Sequence, residues 1–233
     1  MKDAIEVSGL KKSYGSNMVL RGLDFQIKQG EIFALLGVNG AGKTTTLECI
    51  EGLRKYDEGT IIVYGKTGIQ LQSSSLPVHI KPMEALKLFA KWNHTYIDDA
   101  MLKALGIKEM KESQYIELST GQKRRLHLAL ALISNPDIIF LDEPTAGLDV
   151  EGRLSLHEQI RKLKSQGKTI VLASHDMAEV ETLCDRIAIL NSGKIVFCGT
   201  PSELTDRLGR KYFIHLKTLD GEESFETDTI EDT

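Results

Sequence analysis

The segment GVNGAGKTT at residues 37–45 constrains the fold of this chain more than any other feature. It follows an apolar run at residues 32–36 and precedes residues 46–50, which can continue as a helix. A strand, a glycine-rich loop and a helix in this order form the setting that a phosphate-binding loop requires. The alternative, a glycine turn with a chance lysine, does not account for the spacing of all the loop residues.

Each residue type in the loop has a physical reason to bind a nucleotide. Gly37, Gly40 and Gly42 permit positive φ and let the backbone approach an anion closely. Successive N–H groups then point inward, and the following helix adds its positive N-terminal end. We expect Lys43 to reach the β- and γ-phosphates and the Thr44 hydroxyl to bind Mg²⁺. The remaining predicted nucleotide contacts are Asn39 and, near the α-phosphate, Thr45.

Two later apolar runs end in polar side chains of catalytic type. Residues 138–141 form a run typical of buried parallel strands, and Asp142 and Glu143 follow it; His175 follows a second such run at residues 168–174. Ligands of open α/β sheets lie beyond the carboxyl ends of the strands. There Asp142 can hold Mg²⁺ through water, Glu143 can orient or deprotonate an attacking water, and His175 can hydrogen-bond a γ-phosphate.

The N-terminal part predicts a second layer. Residues 4–7 and 23–27 alternate apolar and polar side chains, which is the period-2 pattern of strands. We therefore predict an α/β fold: a P-loop NTPase core with a mainly parallel sheet, an antiparallel β sub-domain and a small helical sub-domain.

Two single residues have both a functional and a structural interpretation. Tyr14 lies beside a turn, where its ring can stack on adenine or pack on the sheet. Gln72 ends a short apolar strand, where its amide can ligate Mg²⁺ or water, or remain an ordinary polar loop side chain. Position alone favours the structural interpretation of both residues.

Apolar side chains recur at helical spacing between residues 82 and 112, in an insertion that carries the single tryptophan. Such a stripe is usually core, and it can also form a docking surface. The stripe begins with Met83, Leu86, Leu88, Phe89 and Trp92.

The segment LSTGQ at residues 118–122 precedes a long helical pattern. Ser119 is placed to cap that helix. A hydroxyl and the Gly121 N–H at a helix N-terminus would form a second anion site. A plain capped helix with an exposed Lys-Arg-Arg face is the alternative.

Charge and hydropathy exclude several classes of protein. The chain has 233 residues and a formal net charge of −4, with 29 Lys and Arg against 33 Asp and Glu. This balance is unfavourable for wrapping nucleic acid, so we predict no nucleic-acid partner. The sequence has no apolar run of about 18 residues, and its first residues lack the apolar core of a signal peptide. The three cysteines have no metal-like spacing and predict reduced thiols.

Taken together, these motifs resemble those of the ATP-binding cassette (ABC) family, the nucleotide-binding subunits of ABC transporters. The likeness extends over most of the chain, from about residue 5 to residue 204. Residues 37–45 are similar to the Walker A motif, residues 138–143 to Walker B and residues 118–122 to the family signature. Gln72 matches the Q-loop, residues 146–149 the D-loop, His175 the switch histidine and Tyr14 the aromatic side chain that stacks on adenine.

The signature departs from the family's usual LSGGQ, because Thr120 replaces the first glycine. A β-branched residue does not readily take positive φ. We therefore expect Thr120 to affect the geometry of the signature, while Ser119 and Gly121 retain the hydroxyl and one close N–H.

The resemblance implies ATP and Mg²⁺ as ligands and a head-to-tail dimer, formed by two copies of this chain or by this chain and a closely related ATPase subunit. One subunit then supplies the Walker residues, and the other supplies Ser119, Gly121 and Gln122 across the same nucleotide. The implied catalytic residues are Glu143, His175 and Gln72, and the implied metal-binding residues are Thr44, Gln72 and Asp142.

Residues 175–186 and the short helical insertion resemble the drug- and antibiotic-export (ABC-2) branch. This implies a transmembrane permease partner and a peripheral position at the cytoplasmic face of the cell membrane. The alternatives are a soluble ABC ATPase, for example of the iron–sulfur assembly type, and a nucleic-acid- or ribosome-associated clamp. The clamp types usually carry two cassettes or a long coiled-coil insertion, and this sequence has neither.

The predicted ATPase domain spans residues 1–204 and includes a helical sub-domain at about residues 78–125. Residues 205–233 form a short C-terminal extension. Its acidic end is abrupt, which predicts either a frayed terminus or a truncated chain.

Overall fold

The computed structural model describes residues 2–70, 76–208, 212–218 and 221–227. The strands are β1 Asp3–Tyr14, β2 Asn17–Lys28, β3 Ile32–Leu36, β4 Glu58–Val63, β5 Thr67–Gln70, β6 Ile138–Asp142, β7 Thr169–Ser174, β8 Arg186–Asn191, β9 Lys194–Gly199, β10 Tyr212–Thr218 and β11 Gly221–Thr227. The helices are α1 Lys43–Ile50, α2 Pro82–Trp92, α3 Asp99–Ala104, α4 Thr120–Leu132, α5 Val150–Ser165, α6 Met177–Leu183 and α7 Pro201–Leu208, with 3-10 turns at Lys108–Met110 and Tyr115–Glu117.

A six-stranded sheet organises the core. Its strand order is β5-β6-β7-β3-β8-β9, and the first five strands run parallel. β9 pairs antiparallel with β8 and closes the sheet as a hairpin. The predicted mainly parallel sheet is thus confirmed. Because β3, β6 and β7 are neighbours or near neighbours, the polar residues that follow them meet at one edge of the sheet.

Both faces of this sheet are covered, which is why its central strands are continuous apolar runs. Every residue of β3, β6 and β7 is buried. Alternate side chains of β3 enter two separate cores: Ile32 and Leu36 pack among the helices, whereas Phe33 and Leu35 pack towards the antiparallel layer. The strand is therefore fixed from both sides immediately before the phosphate-loop segment.

The predicted antiparallel layer is a three-stranded sheet in the order β2-β1-β4. Phe25 of this layer stacks on Phe33 of the central sheet, with ring centroids 5.7 Å apart. β1 and β2 are each 12 residues long, considerably longer than the alternating stretches at residues 4–7 and 23–27. Several register shifts interrupt their ladder, and each shift breaks the alternation that makes a strand visible in the sequence.

The predicted helical insertion is present as α2 and α3, followed by two 3-10 turns. Its apolar stripe is only partly core, because helical spacing does not reveal how much of a stripe is covered. Leu86 is fully buried, whereas Leu88 is 39% and Trp92 65% exposed. Tyr96, in the loop after α2, is 94% exposed. This group of three exposed apolar side chains is called the α2 patch below.

The C-terminal elements are a helix and a β-hairpin. α7 begins at Pro201, and residues 212–227 include the hairpin β10–β11. Within the part of the chain that the structure describes, no helix has the length and apolar character needed to cross a membrane.

Candidate active site

The phosphate-loop segment lies between β3 and α1, as predicted. Gly40 and Gly42 have φ angles of 82° and 109°, and Gly42 caps α1. Gly37 does not take positive φ, so that part of the prediction is wrong. Glycine is required there for a different reason: a Cβ on Gly37 would lie 2.5 Å from the Leu190 carbonyl oxygen. The loop therefore needs two glycines for backbone conformation and one for close packing.

Lys43 points back over the loop. Its side chain is 5% exposed, and Nζ donates hydrogen bonds to the carbonyl oxygens of Gly37 at 2.8 Å and Val38 at 3.3 Å. Nζ also lies 3.9 Å from Glu143 Oε1. The cation is thus held inside the concavity of the loop, where it faces the carboxylate at the end of β6.

Asp142 ends β6 beside Thr44, the second residue of α1. Burial raises the pKa of Asp142, the charge of Glu143 acts in the same direction, and the hydrogen bond from the Thr44 hydroxyl acts in the opposite one. Asp142 Oδ1 is buried and makes no hydrogen bond to the residues that the structure describes. A buried carboxylate oxygen with no partner is costly. An unused carboxylate oxygen next to a hydroxyl is a donor set that suits Mg²⁺.

Glu143 and His175 follow neighbouring strands and contact each other. His175 Nδ1 lies 3.2 Å from Glu143 Oε1. Glu143 has a φ of 46°, which is unusual for a residue other than glycine, and its N–H donates to the Ala173 carbonyl at 3.0 Å. A cleft of about 410 Å³ is lined by residues of the loop, including Gly37 and Asn39, and by His175. The structure therefore brings the predicted loop and the two strand-end residues to one place.

Tyr14 does not bury its ring against the sheet. The residue is 43% exposed, and two cations approach the ring: the guanidinium carbon of Arg54 lies 5.4 Å and Lys12 Nζ 5.6 Å from the centroid. Arg54 is itself paired with Glu48 of α1. Arg54 and Glu48 have no recognisable link to Tyr14 in the sequence, because 40 residues separate Arg54 from the tyrosine.

The signature segment forms the N-terminus of α4, and the predicted cap is confirmed. Ser119 Oγ accepts from the Gln122 N–H at 3.2 Å, and Gln122 Oε1 accepts from the Ser119 N–H at 2.8 Å. Thr120 is the first helical residue and does not take positive φ. Its β-branched side chain is therefore compatible with this backbone, contrary to the expected effect on signature geometry. Gly121 lies in the first turn.

A second cleft, of about 450 Å³, lies beside the signature. Its lining includes Ser119, Gly121 and Gln122 together with Gly147 and Asp149 of the segment after β6. Asp149 caps α5 by accepting from the Gly152 N–H at 2.8 Å. Within the described part of the chain, none of the residues 37–45 lines this cleft. The two predicted anion sites are thus separate surfaces of one chain.

One predicted site residue, Gln72, lies outside the described residues. β5 ends at Gln70, next to β6 in the sheet. A further carboxyl group was missed: burial, with the charges of Asp142 and Glu48, raises the pKa of Glu51 to about 7. Thr44 and Glu48 lie four residues apart on α1, and Glu51, three residues further on, is its C-cap with a helical backbone, so helical spacing could have placed all three on one face.

The geometry defines a nucleotide-binding ATPase cassette, and comparison with known proteins agrees. The model of the family described as ABC transporter matches residues 20–146, which is more than half of the chain. The chain belongs to that family. It is an ATP-binding subunit of the ABC transporter class, whose members are ATPases.

Two curated relatives illustrate the similarity. The chain is 34% identical, over 95% of its length and 77% of the relative, to the linearmycin resistance ATP-binding protein LnrL of Bacillus subtilis. It is 37% identical, over 86% of its length and 72% of the relative, to the Nod factor export ATP-binding protein I of Paraburkholderia xenovorans.

Solved structures support the same fold. An ATP-binding subunit of an ABC transporter superposes with a TM-score of 0.78 at 26% identity, over 88% of this chain and 93% of that one. A nucleotide-free ATP-binding cassette superposes with a TM-score of 0.79 at 21% identity, over 89% and 95% of the two chains. The predicted α/β fold with its antiparallel and helical parts is therefore confirmed.

Proposed function

We propose that this chain hydrolyses ATP to drive export through a membrane permease. The observation that carries the proposal is the convergence of Lys43, Asp142, Glu143 and His175 at one edge of the sheet. Lys43 Nζ lies 3.9 Å and His175 Nδ1 3.2 Å from the same oxygen, Glu143 Oε1. A cation at a phosphate loop, with two carboxylates and an imidazole beside it, can bind phosphate, hold Mg²⁺ and position a water, which are the tasks of phosphoryl transfer to water.

Each residue has a role in this proposal. Lys43 and the loop N–H groups bind the β- and γ-phosphates, with further contacts from Asn39, Thr44 and Thr45. Asp142 and Thr44, together with Gln72, would hold Mg²⁺, which neutralises charge on the phosphates when bound. Glu143 orients the attacking water and accepts its proton, and His175 hydrogen-bonds the γ-phosphate. The Tyr14 ring stacks on adenine.

The second cleft supports a head-to-tail dimer. Ser119, Gly121 and Gln122 line a cleft that the phosphate loop of their own chain does not line. In the proposed dimer they bind the nucleotide held by the other subunit, which is a second copy or a closely related ATPase subunit. In the proposal, the two subunits close on two ATP molecules, and this closure drives the movement of the permease. Hydrolysis then reopens the dimer.

The permease is the proposed occupant of the α2 patch, Leu88, Trp92 and Tyr96. Leu88 and Trp92 lie four residues apart on α2 and so on the same face of that helix, and contiguous exposed apolar surface can mark contacts with proteins. Both relatives described above bear names that refer to resistance or export. We therefore assign the chain to an exporter at the cytoplasmic face of the membrane. In this proposal it has no nucleic-acid partner. A contact of this kind predicts that Trp92→Ala weakens assembly with the co-expressed permease, whereas Val196→Ala, at 59% exposure on β9, does not.

The proposed division of the chain follows from these assignments. Residues 1–204 form the ATPase domain, in which residues 78–125 are the helical sub-domain that faces the permease. Residues 205–233 form the C-terminal extension.

Light scattering on a size-exclusion column tests the proposal with the Glu143→Gln variant, with and without Mg-ATP. We expect a monomer without ATP and a dimer with it, because the variant binds ATP and barely hydrolyses it. Glu158→Gln, an exposed acid on α5, is the matched control and should stay monomeric under turnover. Adding Lys43→Ala to Glu143→Gln should abolish the dimer. A monomer with ATP bound would contradict the homodimer.

A further inference from the structure

A buried carboxylate outside the candidate active site makes hydrogen bonds to two of the chain segments that form that site. Glu179 of α6 is 6% exposed. Its Oε2 accepts a hydrogen bond from the Ser174 hydroxyl at 2.6 Å, and its Oε1 lies 3.4 Å from His157 Nε2. The Thr145 hydroxyl donates a further hydrogen bond to the same carboxylate. Four segments of the chain therefore meet at one side chain.

At this junction the Glu179 carboxylate is the acceptor, and the three neighbouring side chains are the donors. Its three donors are buried, like the carboxylate itself. Burial raises the pKa of Glu179, and hydrogen bonds from His157, Ser174 and Thr145 outweigh burial, so that its pKa lies below the ordinary value. The carboxylate is ionised at neutral pH and only accepts hydrogen bonds. Because a buried charge without its hydrogen bonds is costly, the three donors are held in place.

The first contact fixes the backbone on both sides of His175. Ser174 ends β7 directly before His175, and its Oγ accepts from the Asp176 N–H at 3.1 Å while it donates to Glu179. Asp176 in turn caps α6 by accepting from the N–H groups of Ala178 and Glu179. His175 thus lies between Ser174 and Asp176, which are joined by the hydrogen bond from the Asp176 N–H to the Ser174 hydroxyl.

The other two contacts reach the segment that follows Glu143. Thr145 lies two residues after Glu143 and is 7% exposed. His157 lies on α5, the helix that Asp149 caps. The carboxylate of Glu179 is therefore connected to both strand ends of the candidate site. It is also connected to α5, which lines the cleft beside the signature.

We propose that Glu179 is a positioning residue for ATP hydrolysis, which holds His175 and Glu143 at their 3.2 Å separation through the hydroxyls of Ser174 and Thr145. The inference rests on the ATPase function proposed above. A displacement of about 1 Å caused by a distant mutation can reduce a rate by up to about 100-fold. Glu179 has no described contact with the phosphate loop, so its loss should reduce kcat and leave the KM for ATP nearly unchanged.

Steady-state kinetics of the full chain test this inference. Glu179→Gln keeps the shape of the side chain and presents an amide N–H₂ donor where the carboxylate only accepts. We expect kcat to fall about tenfold or more, with KM within about twofold of the wild-type value. Ser174→Ala removes one arm only and should give a similar loss, so it replaces Glu179→Gln if that variant does not fold.

Thr169→Val is the matched control. Thr169 lies at the opposite end of β7, is 2% exposed, and its hydroxyl accepts from the Gly30 N–H at 3.0 Å. Its replacement removes a buried hydrogen bond from the same strand, away from the site, and should leave kcat unchanged. An equal loss of kcat in Thr169→Val would overturn the proposal, because general destabilisation would then suffice.

A second readout does not depend on turnover. The imidazole NMR signal of His175, assigned by its loss in His175→Ala, should shift in Glu179→Gln and Ser174→Ala without nucleotide, and should not shift in Thr169→Val. An unchanged signal, or wild-type kcat in Glu179→Gln, overturns the positioning role. A wild-type protein without ATPase activity overturns the proposed function instead, and a responding signal would still support the link from Glu179 to His175.

Discussion

His175 Nδ1 lies 3.2 Å from Glu143 Oε1, and the two residues are 32 positions apart in the chain. The contact exists because β6 and β7 are parallel neighbours, with Asp142 paired to Ala173 at their ends. Glu143 turns out of its strand at a φ of 46°. In this conformation its N–H donates to the carbonyl oxygen of Ala173 on β7, so the backbone of Glu143 is itself attached to the strand that leads to His175.

The pair predicts distinct kinetic losses. Glu143→Gln should lower kcat about 100-fold or more, because an amide cannot accept the proton of the attacking water. His175→Ala should lower kcat about tenfold or more, because the proposed hydrogen bond to the γ-phosphate would be lost. Phosphate release measures both rates. His79→Ala and Glu158→Gln, exposed residues of the same types, should retain wild-type rates. Wild-type turnover in either site variant would show that the pair is not catalytic.

Much of the site could be predicted because its signals are local. The loop residues are consecutive, and Asp142, Glu143 and His175 come at the ends of apolar runs that are typical of covered parallel strands. Long-range contacts left no such signal. Arg54 meets Tyr14 from 40 residues away, and the need for glycine at position 37 arises from a carbonyl of β8.

Exposure was harder to predict than secondary structure. The spacing of the α2 stripe correctly predicts a helix, and it equally fits the buried Leu86 and the exposed Trp92. Which side chains are covered depends on what packs against the helix, and the sequence of the helix does not contain that information. The burial of Glu179 cannot be predicted for the same reason, because glutamate is among the residue types least often buried.

Tyr14 predicts a loss of affinity that depends on the base. Tyr14→Ala should weaken ATP binding about tenfold, because stacking on a base contributes about 1–3 kcal/mol. It should not change the affinity for tripolyphosphate, which has no base, whereas Lys43→Ala should weaken both. Calorimetry with the two ligands separates these outcomes. Tyr64→Ala, at a similar exposure of 46%, is the control. Equal losses for ATP and tripolyphosphate would remove the stacking role.

We predict that the threonine at position 120 has only a small effect on ATPase activity, although it departs from the glycine that is usual in the family signature. Because its backbone is helical, restoring the usual glycine by Thr120→Gly should change ATPase activity by less than about twofold. The same change should lower the unfolding free energy by up to about 0.5 kcal/mol, since glycine is less favourable than threonine in a helix. Activity assays and thermal unfolding measure the two effects. A tenfold gain in activity would mean that the threonine distorts the signature after all.

Glu51 predicts a stability that depends on pH. Its pKa is raised from 4.5 to about 7, first by burial and then by the charges of Asp142 and Glu48. Between these values the folded chain holds a proton that the unfolded chain has lost, so this contribution to stability declines as pH rises from about 4.5 to 7. Because glutamine stays neutral, Glu51→Gln should raise the unfolding free energy by about 1–2 kcal/mol at pH 8, and by much less at pH 5. The value at pH 8 is reduced from the full pKa difference because the side chain is partly exposed. Thermal unfolding without Mg²⁺ or nucleotide should show Tm rising by about 3–6 °C at pH 8. Glu158→Gln should shift Tm equally at both pH values, and the same behaviour in Glu51→Gln would contradict the raised pKa.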